Sequence, residues 1–438
     1  MADYNPFNPN SVVTPTLFAG RTQQVLHIVN KLSQVKHRMS SSFFLHGERG
    51  IGKTALAKLI ISIAESGNKN LKDLNFLTSY YSVEKGQHFT SVLQASLNRL
   101  TDRLPSSSIK RLSERLGDIF KNGKFSFGAF GLNVSVGQSQ MELPLEGDTK
   151  QFFKDQSISA LTNILSGLKE IKDEENKYDG IFIVLDEIHN IEDVQGIAQM
   201  LRGITTTLDV NGFGNISFMV IGYSEIVDNF FEGDPSAKRS FDLIHLTSMP
   251  LEEAKDILVK GLNEVKASFD EKPFNDVMIT GGYPHSIQVL GHNLIEEDKD
   301  NHIDKEDWRN AVQVTALELQ TKDFSSLYNF KGKKTLREEI MNVLAYVGTP
   351  ISKSILVKKF KSIYTKSCLP ELKKTGAVKE DQETGQLSLH STLFRSAILL
   401  HIFPKLKRGD NWFEFGNKIL NEIAEKDSFP QNGISDQE

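Results

Sequence analysis

The stretch SSFFLHGERGIGKTALAKLIISIA (residues 41–64) decides the fold. Its centre, GERGIGKT (Gly47–Thr54), fits the spacing G-x-x-x-x-G-K-[ST], with a short apolar run before it and a helical pattern after it. Glycines at such a turn let the backbone curl around phosphate groups with its N–H groups pointing inward. A helix starting at Lys53 adds the positive end of its dipole. The residues expected to cradle the nucleotide are Gly47, Glu48, Arg49, Gly50, Ile51, Gly52, Lys53, Thr54 and Ala55. Lys53 is expected to neutralise the β- and γ-phosphates, and the Thr54 hydroxyl to ligate Mg²⁺.

A second stretch completes the chemistry. In GIFIVLDE (Gly180–Glu187), five apolar residues form a buried strand that delivers Asp186 to the metal and Glu187 to an attacking water. Together the two motifs predict Mg-ATP as ligand and ATP hydrolysis as activity, with Lys53 and Glu187 catalytic and Thr54 and Asp186 on the metal. DEIH (Asp186–His189) also suggests the second motif of DExH helicases. Those enzymes carry a second P-loop-like domain with its own motifs, and neither the motifs nor room for the domain is found. His189 is then read as a polar residue at a helix start.

Around these motifs the pattern alternates. Residues 17–38 read as an amphipathic helix. LNFLTSYYSV (residues 74–83) and NISFMVIG (residues 215–222) add further apolar strands. Strands that are apolar throughout, alternating with helices, predict a parallel sheet covered on both faces. FSFGAFGLNVSVG (residues 125–137) reads as an inserted hairpin. The chain becomes helical and acidic from Leu251 to about Asp323. Then Leu336, Ile340, Val343, Leu344 and Val347 mark one helical face, followed by a shorter helix around residues 355–360. SCLPELKKTGAV is read as a brief helix, short because Pro370 is tolerated only in a first turn. VKEDQETGQLSLH reads as a two-stranded hairpin, and the chain end from Gly409 as a tail.

Composition bounds the rest. The 438 residues are 39% hydrophobic and 24% charged, globular values that suggest about three domains. A single cysteine, Cys368, permits no internal disulfide, and the eleven histidines show no zinc spacing. With no secretory pattern at the start and no spanning run, the expectation is a cytoplasmic protein without membrane contact. The net charge of −5 hides an asymmetry. Lys331–Lys379 carries twelve basic residues against three acids, so one module is +9 in an otherwise acidic chain.

Four further segments make the chain resemble AAA+ ATPases of the origin-recognition/initiator and STAND branches. FAGR (Phe18–Arg21) resembles the box that packs against adenine, which implies a nucleotide contact for Arg21. NISFMVIGYSE (Asn215–Glu225) resembles the sensor-1 strand, with Ser224 near the sensor position. DPSAKRSFDLIHL (Asp234–Leu246) resembles the segment presenting an arginine finger, which implicates Arg239, with Arg202 as the other candidate. GGYP (Gly281–Pro284) resembles the lid signature that places Pro284 near the base. His285 stands where initiator-type relatives carry a sensor arginine, and the repeat arrays usual in STAND proteins are missing.

The organisation implied is an α/β P-loop core at residues 1–250 and a helical lid at 251–328. A winged helix-turn-helix at 329–408 and a tail at 409–438 follow. The resemblance implies self-association across ATP sites and action on duplex DNA, with Lys366, Lys373 and Lys374 near the phosphates. The alternative is a STAND-like signalling or anti-phage defence ATPase whose partner is a protein effector. Catalytic roles are thus assigned to Lys53, Glu187 and Arg239.

Overall fold

The computed structural model describes residues 4–67, 73–104, 106–116, 120–121, 124–125, 147–170, 177–327, 335–360 and 362–403. The chain forms two compact units, one of Thr14–Thr247 and the other of Met1–Val13 with Ser248–Glu438.

The first unit is an α/β layer structure. Its elements run α1 (Thr22–Lys36), β1 (Ser42–Gly47), α2 (Lys53–Glu65), β2 (Phe76–Ser82), α3 (Phe89–Thr101), α4 (Ser106–Leu116), β3 (Phe120–Lys121), β4 (Lys124–Phe125), α5 (Gly147–Lys169), β5 (Gly180–Asp186), α6 (Ile197–Val210), β6 (Ile216–Gly222), α7 (Val227–Phe230), α8 (Pro235–Ser240) and β7 (Phe241–Leu246). Five strands make one parallel sheet in the order β2-β5-β6-β1-β7. Every residue of β5 and β6 is buried, as continuous apolar runs in a doubly covered sheet must be. The expected parallel sheet with flanking helices is therefore present. The order places β5 and β1 on either side of β6, so the acid strand and the phosphate-loop strand end on the same sheet edge. The hairpin expected at residues 125–137 lies outside the described residues beyond Phe125. What is described is a short pairing of β3 with β4.

The second unit is mainly helical: α9 (Leu251–Glu264), β8 (Ser268–Phe269), α10 (Glu271–Phe274), α11 (Pro284–Glu297), β9 (His302–Ile303) and α12 (Lys305–Lys322). Asp304 starts α12 with a capping box closed by Asp307, which satisfies otherwise orphaned N–H groups. Residues 4–13 also belong here. Phe7 is 2% exposed, between Gly261 of α9 and Gly291 of α11, where a side chain in place of either hydrogen would collide with its ring.

The same unit continues through α13 (Thr335–Val347), β10 (Ile351–Ser352), α14 (Lys353–Phe360), α15 (Ser362–Lys374), β11 (Val378–Glu380), β12 (Gln386–Leu389) and α16 (Thr392–Ile402). Two expectations are corrected here. The hairpin β11–β12 gains a third strand, because β10 pairs antiparallel with β12. The helix around Pro370 is not brief: α15 begins eight residues earlier and carries Pro370 in its interior. Proline there removes one intrahelical hydrogen bond, but Leu369 and Leu372 beside it are buried, and that packing offsets the loss. The tail from residue 409 lies outside the described residues. Among the described residues, no helix is long and apolar enough to cross a membrane.

Candidate nucleotide site

The site of the first unit is built where β1, β5 and β6 end. Gly47 closes β1 with φ +154°, and a Cβ there would stand 2.6 Å from the Leu246 carbonyl oxygen, so only glycine fits. Gly52, at φ 94°, caps the start of α2 in a conformation that other residues rarely adopt. Between them the loop carries Glu48 half-buried, Ile51 buried, and Arg49 and Gly50 exposed, and Ala55 in the first turn of α2 is half-buried.

Lys53 opens α2 and is 7% exposed. Its Nζ donates to the carbonyl oxygens of Gly47 (2.9 Å) and Glu48 (2.8 Å), and lies 4.8 Å from the centroid of the Tyr223 ring. Burial pushes its pKa down, while Glu187 and Asp186 pull it back up. The next residue reaches the acid strand: Thr54 Oγ1 donates to Asp186 Oδ2 at 2.7 Å. Asp186, 1% exposed, also accepts from the Tyr80 hydroxyl at 2.8 Å on the same oxygen, and from the Glu187 N–H at 2.8 Å on Oδ1. Burial and the Asp186 charge hold the Tyr80 phenol protonated well above its usual range.

Glu187 follows with φ 59°, a left-handed backbone that turns the chain sharply out of the strand. Its carboxylate meets His189 Nε2 at 2.9 Å, and the His189 ring stacks on Tyr223 with centroids 3.8 Å apart. His189 does lie at the start of a short turn, Ile188–Asn190, yet it is also bound to the acid beside it. At the end of β6, Ser224 hydrogen-bonds His46 Nδ1 at 3.1 Å. Burial, then the neighbouring His245 and Lys53, lower the His46 pKa to about 4.

The remaining expected residues are Arg21, Arg239, Arg202 and Pro284. Arg21 is 3% exposed and donates from Nη2 to the carbonyl oxygens of Ile51 (3.3 Å) and Thr247 (2.5 Å), bracing the loop from below. Arg239 is exposed in the last turn of α8, directly before β7. Arg202 of α6 instead pairs with Asp234 at 3.1 Å, whose carboxylate caps α8. Pro284 occupies the first turn of α11 in the second unit, and His285 beside it lies 3.8 Å from Asp323.

The donor set fits Mg²⁺. The Thr54 hydroxyl and the Asp186 carboxylate are hard oxygen ligands, and Mg²⁺ characteristically takes one or two such groups and completes its shell with phosphate and water. Tyr80, Tyr223 and the pairing of His189 were missed in the sequence. Only for Tyr80 was there a signal, a polar side chain within the strand that neighbours β5.

Residues 17–209 match the family described as AAA ATPase domain. No curated protein matches the chain. Among solved structures, the ORC2 protein of Aeropyrum pernix is similar over 97% of this chain and 98% of its own, at 14% identity and a TM-score of 0.48. The Walker-type ATPase of Pyrococcus abyssi is similar over 87% of this chain and 96% of its own, at 13% identity and a TM-score of 0.46. Cdc6p of Pyrobaculum aerophilum is similar over 96% and 97%, at 16% identity and a TM-score of 0.44. The phosphate loop Gly47–Thr54 and the acids Asp186 and Glu187 all fall within the stretch that matches this family.

Proposed function

We infer that the chain binds Mg-ATP at Gly47–Thr54 and hydrolyses it. The observation that carries this reading is the 2.7 Å contact between Thr54 and Asp186, which joins the phosphate loop to the acid strand with Glu187 one residue further on. In this reading the loop N–H groups and Lys53 hold the β- and γ-phosphates. Thr54 and Asp186 hold Mg²⁺, which when bound neutralises charge on the phosphate oxygens. Glu187 accepts a proton from the attacking water. Arg21 braces the loop at Ile51, and Arg239 reaches the site of a neighbouring copy.

The test is direct. Lys53→Ala should weaken ATP binding tenfold or more, since charge-assisted hydrogen bonds contribute roughly 1.5–3 kcal/mol each. Glu187→Gln should retain binding and lose turnover by about 10²–10⁴-fold, the usual contribution of a general base. Equal nucleotide affinity in wild type and Lys53→Ala would sink the site.

For the output, residues 329–408 read best as a winged helix acting on duplex DNA. Support comes from the order α13, β10, α14, α15, β11, β12 and from exposed lysines on it: Lys358 and Lys359 end α14, and Lys373 and Lys374 end α15. The alternative, a signalling ATPase with a protein effector, draws on a different observation. Two basic residues of this module are taken into internal pairs, Arg337 with Glu371 and Lys373 with Glu380. DNA-stimulated ATP turnover separates the two.

A further inference from the structure

The carboxylate proposed to activate water does not stand alone. Glu187 sits in a left-handed backbone conformation (φ 59°, ψ 37°). Such a conformation costs about 1–3 kcal/mol in a non-glycine residue and persists where the surroundings over-determine it. Its backbone is fixed by two hydrogen bonds, from its own N–H to Asp186 Oδ1 and from the Asn190 N–H to its carbonyl (2.9 Å). Its side chain is fixed by one residue, His189, at 2.9 Å.

His189 has an unusual set of contacts for a structural histidine. A buried imidazole ordinarily satisfies both nitrogens. Here Nδ1 is buried and without a hydrogen-bond partner among the described residues, while Nε2 meets only Glu187. A bare buried nitrogen costs about 1–3 kcal/mol, less when it is a lone pair than when it must be an N–H. Nε2 therefore carries a proton and donates it to Glu187 Oε2. Burial lowers the His189 pKa and Lys53 adds to that, while Glu187, Asp186 and Glu225 oppose it. The ring cannot swing away, because one face lies on Tyr223, 3.8 Å between centroids, and Tyr223 in turn lies under Lys53.

We propose that His189 is the positioning residue of the hydrolytic site: clamped on Tyr223, it holds one oxygen of the Glu187 carboxylate and leaves the other directed at water. This rests on the reading that Glu187 is the base. It makes a specific demand, that the N–H donated to Glu187 sets turnover and the ring itself does not set nucleotide affinity.

Two substitutions separate donor from ring. His189→Gln keeps an N–H donor and loses the aromatic face. His189→Phe keeps the face on Tyr223 and loses the donor. Both are compared with wild type and Glu187→Gln for kcat, KM and the affinity for a fluorescent ATP analogue. His189→Phe should lose about 10–100-fold in kcat, the scale on which a misplacement near 1 Å acts, with nucleotide affinity within about twofold of wild type. His189→Gln should recover most of that loss. His189→Leu repeats the donor-free arm if His189→Phe does not fold. The proposal is overturned if the donor-free variants turn over at the wild-type rate, if His189→Gln is as slow as they are, or if affinity falls in step with kcat. If wild-type protein binds ATP without hydrolysing it, or Glu187→Gln is as fast as wild type, the hydrolytic reading falls instead and takes this proposal with it.

Discussion

Tyr80 and Thr54 donate to the same oxygen of Asp186, at 2.8 and 2.7 Å, so the innermost carboxylate of the site is held by one hydroxyl from the second strand and one from the phosphate loop. Thr54 can leave for a metal, whereas Tyr80 is anchored on β2. Tyr80→Phe removes one charge-assisted bond to a carboxylate that is 1% exposed. The loss should be about 1.5–3 kcal/mol, or roughly 3–12 °C in melting temperature for a unit of this size. Mg-ADP should shrink the difference, because the cation then balances the same oxygen. A Tyr80→Phe protein that melts with wild type in EDTA would show that the bond contributes nothing.

Arg239 is expected to act on a neighbouring copy. It is exposed at the end of α8, while Arg202 is already engaged by Asp234. Arg239→Ala should therefore reduce turnover by about 10³–10⁵-fold, the range of arginine fingers, with ATP affinity nearly intact. Mixing it with Glu187→Gln should restore activity. A mixed interface joins an intact Glu187 on one copy to an intact Arg239 on the other. An absence of rescue, with protein that stays monomeric in ATP, would remove the trans role.

The DNA reading makes a salt-dependent prediction. Binding through lysines should weaken by about 0.9 log unit per tenfold salt for each phosphate neutralised. The triple change Lys366→Ala, Lys373→Ala, Lys374→Ala should flatten that slope and leave basal ATP turnover unchanged. Within it the two last-turn lysines should differ, because Lys373 is paired with Glu380. Lys374→Ala alone should cost more affinity than Lys373→Ala alone. No binding of duplex DNA by folded protein in low salt with ATP would favour the protein-effector reading.

What was legible in the sequence was local. The phosphate loop and the acid strand each declare themselves within about eight residues, through glycine spacing or an unbroken apolar run. The partners of those residues are set by strand register instead. Tyr80 can reach Asp186 because β2 runs parallel to β5 with Tyr80 beside Val184, and nothing within either strand states that pairing. Tyr223 and His189 meet because β5 and β6 are adjacent and each turns outward just past its end. Pro370 misled in the opposite direction. A local rule shortened α15, and burial of its neighbours overrode the rule.

The N-terminal segment offers the sharpest test of packing, since its anchor reverses the usual sign of a substitution. Phe7 is buried against Gly261 and Gly291, with the flanking backbone held by Asn5 to the His292 carbonyl (3.0 Å) and by His292 Nδ1 to the Phe7 carbonyl (3.1 Å). Glycine inside a helix is normally a liability of about 0.8–1 kcal/mol relative to alanine. At Gly291, however, an added Cβ would stand 2.5 Å from Phe7 Cδ1, and at Gly261 it would fall on the end of the ring. Gly291→Ala should therefore destabilise the protein by about 1–3 kcal/mol, the usual cost of overpacking. Phe7→Ala alone should cost about 3–5 kcal/mol through the cavity it leaves. In that background the methyl of Gly291→Ala enters free space, so the same change should now stabilise, by up to about 1 kcal/mol. Denaturation midpoints of the four proteins give the coupling directly. If Gly291→Ala stabilises the protein with Phe7 in place, the ring is not seated between the two helices.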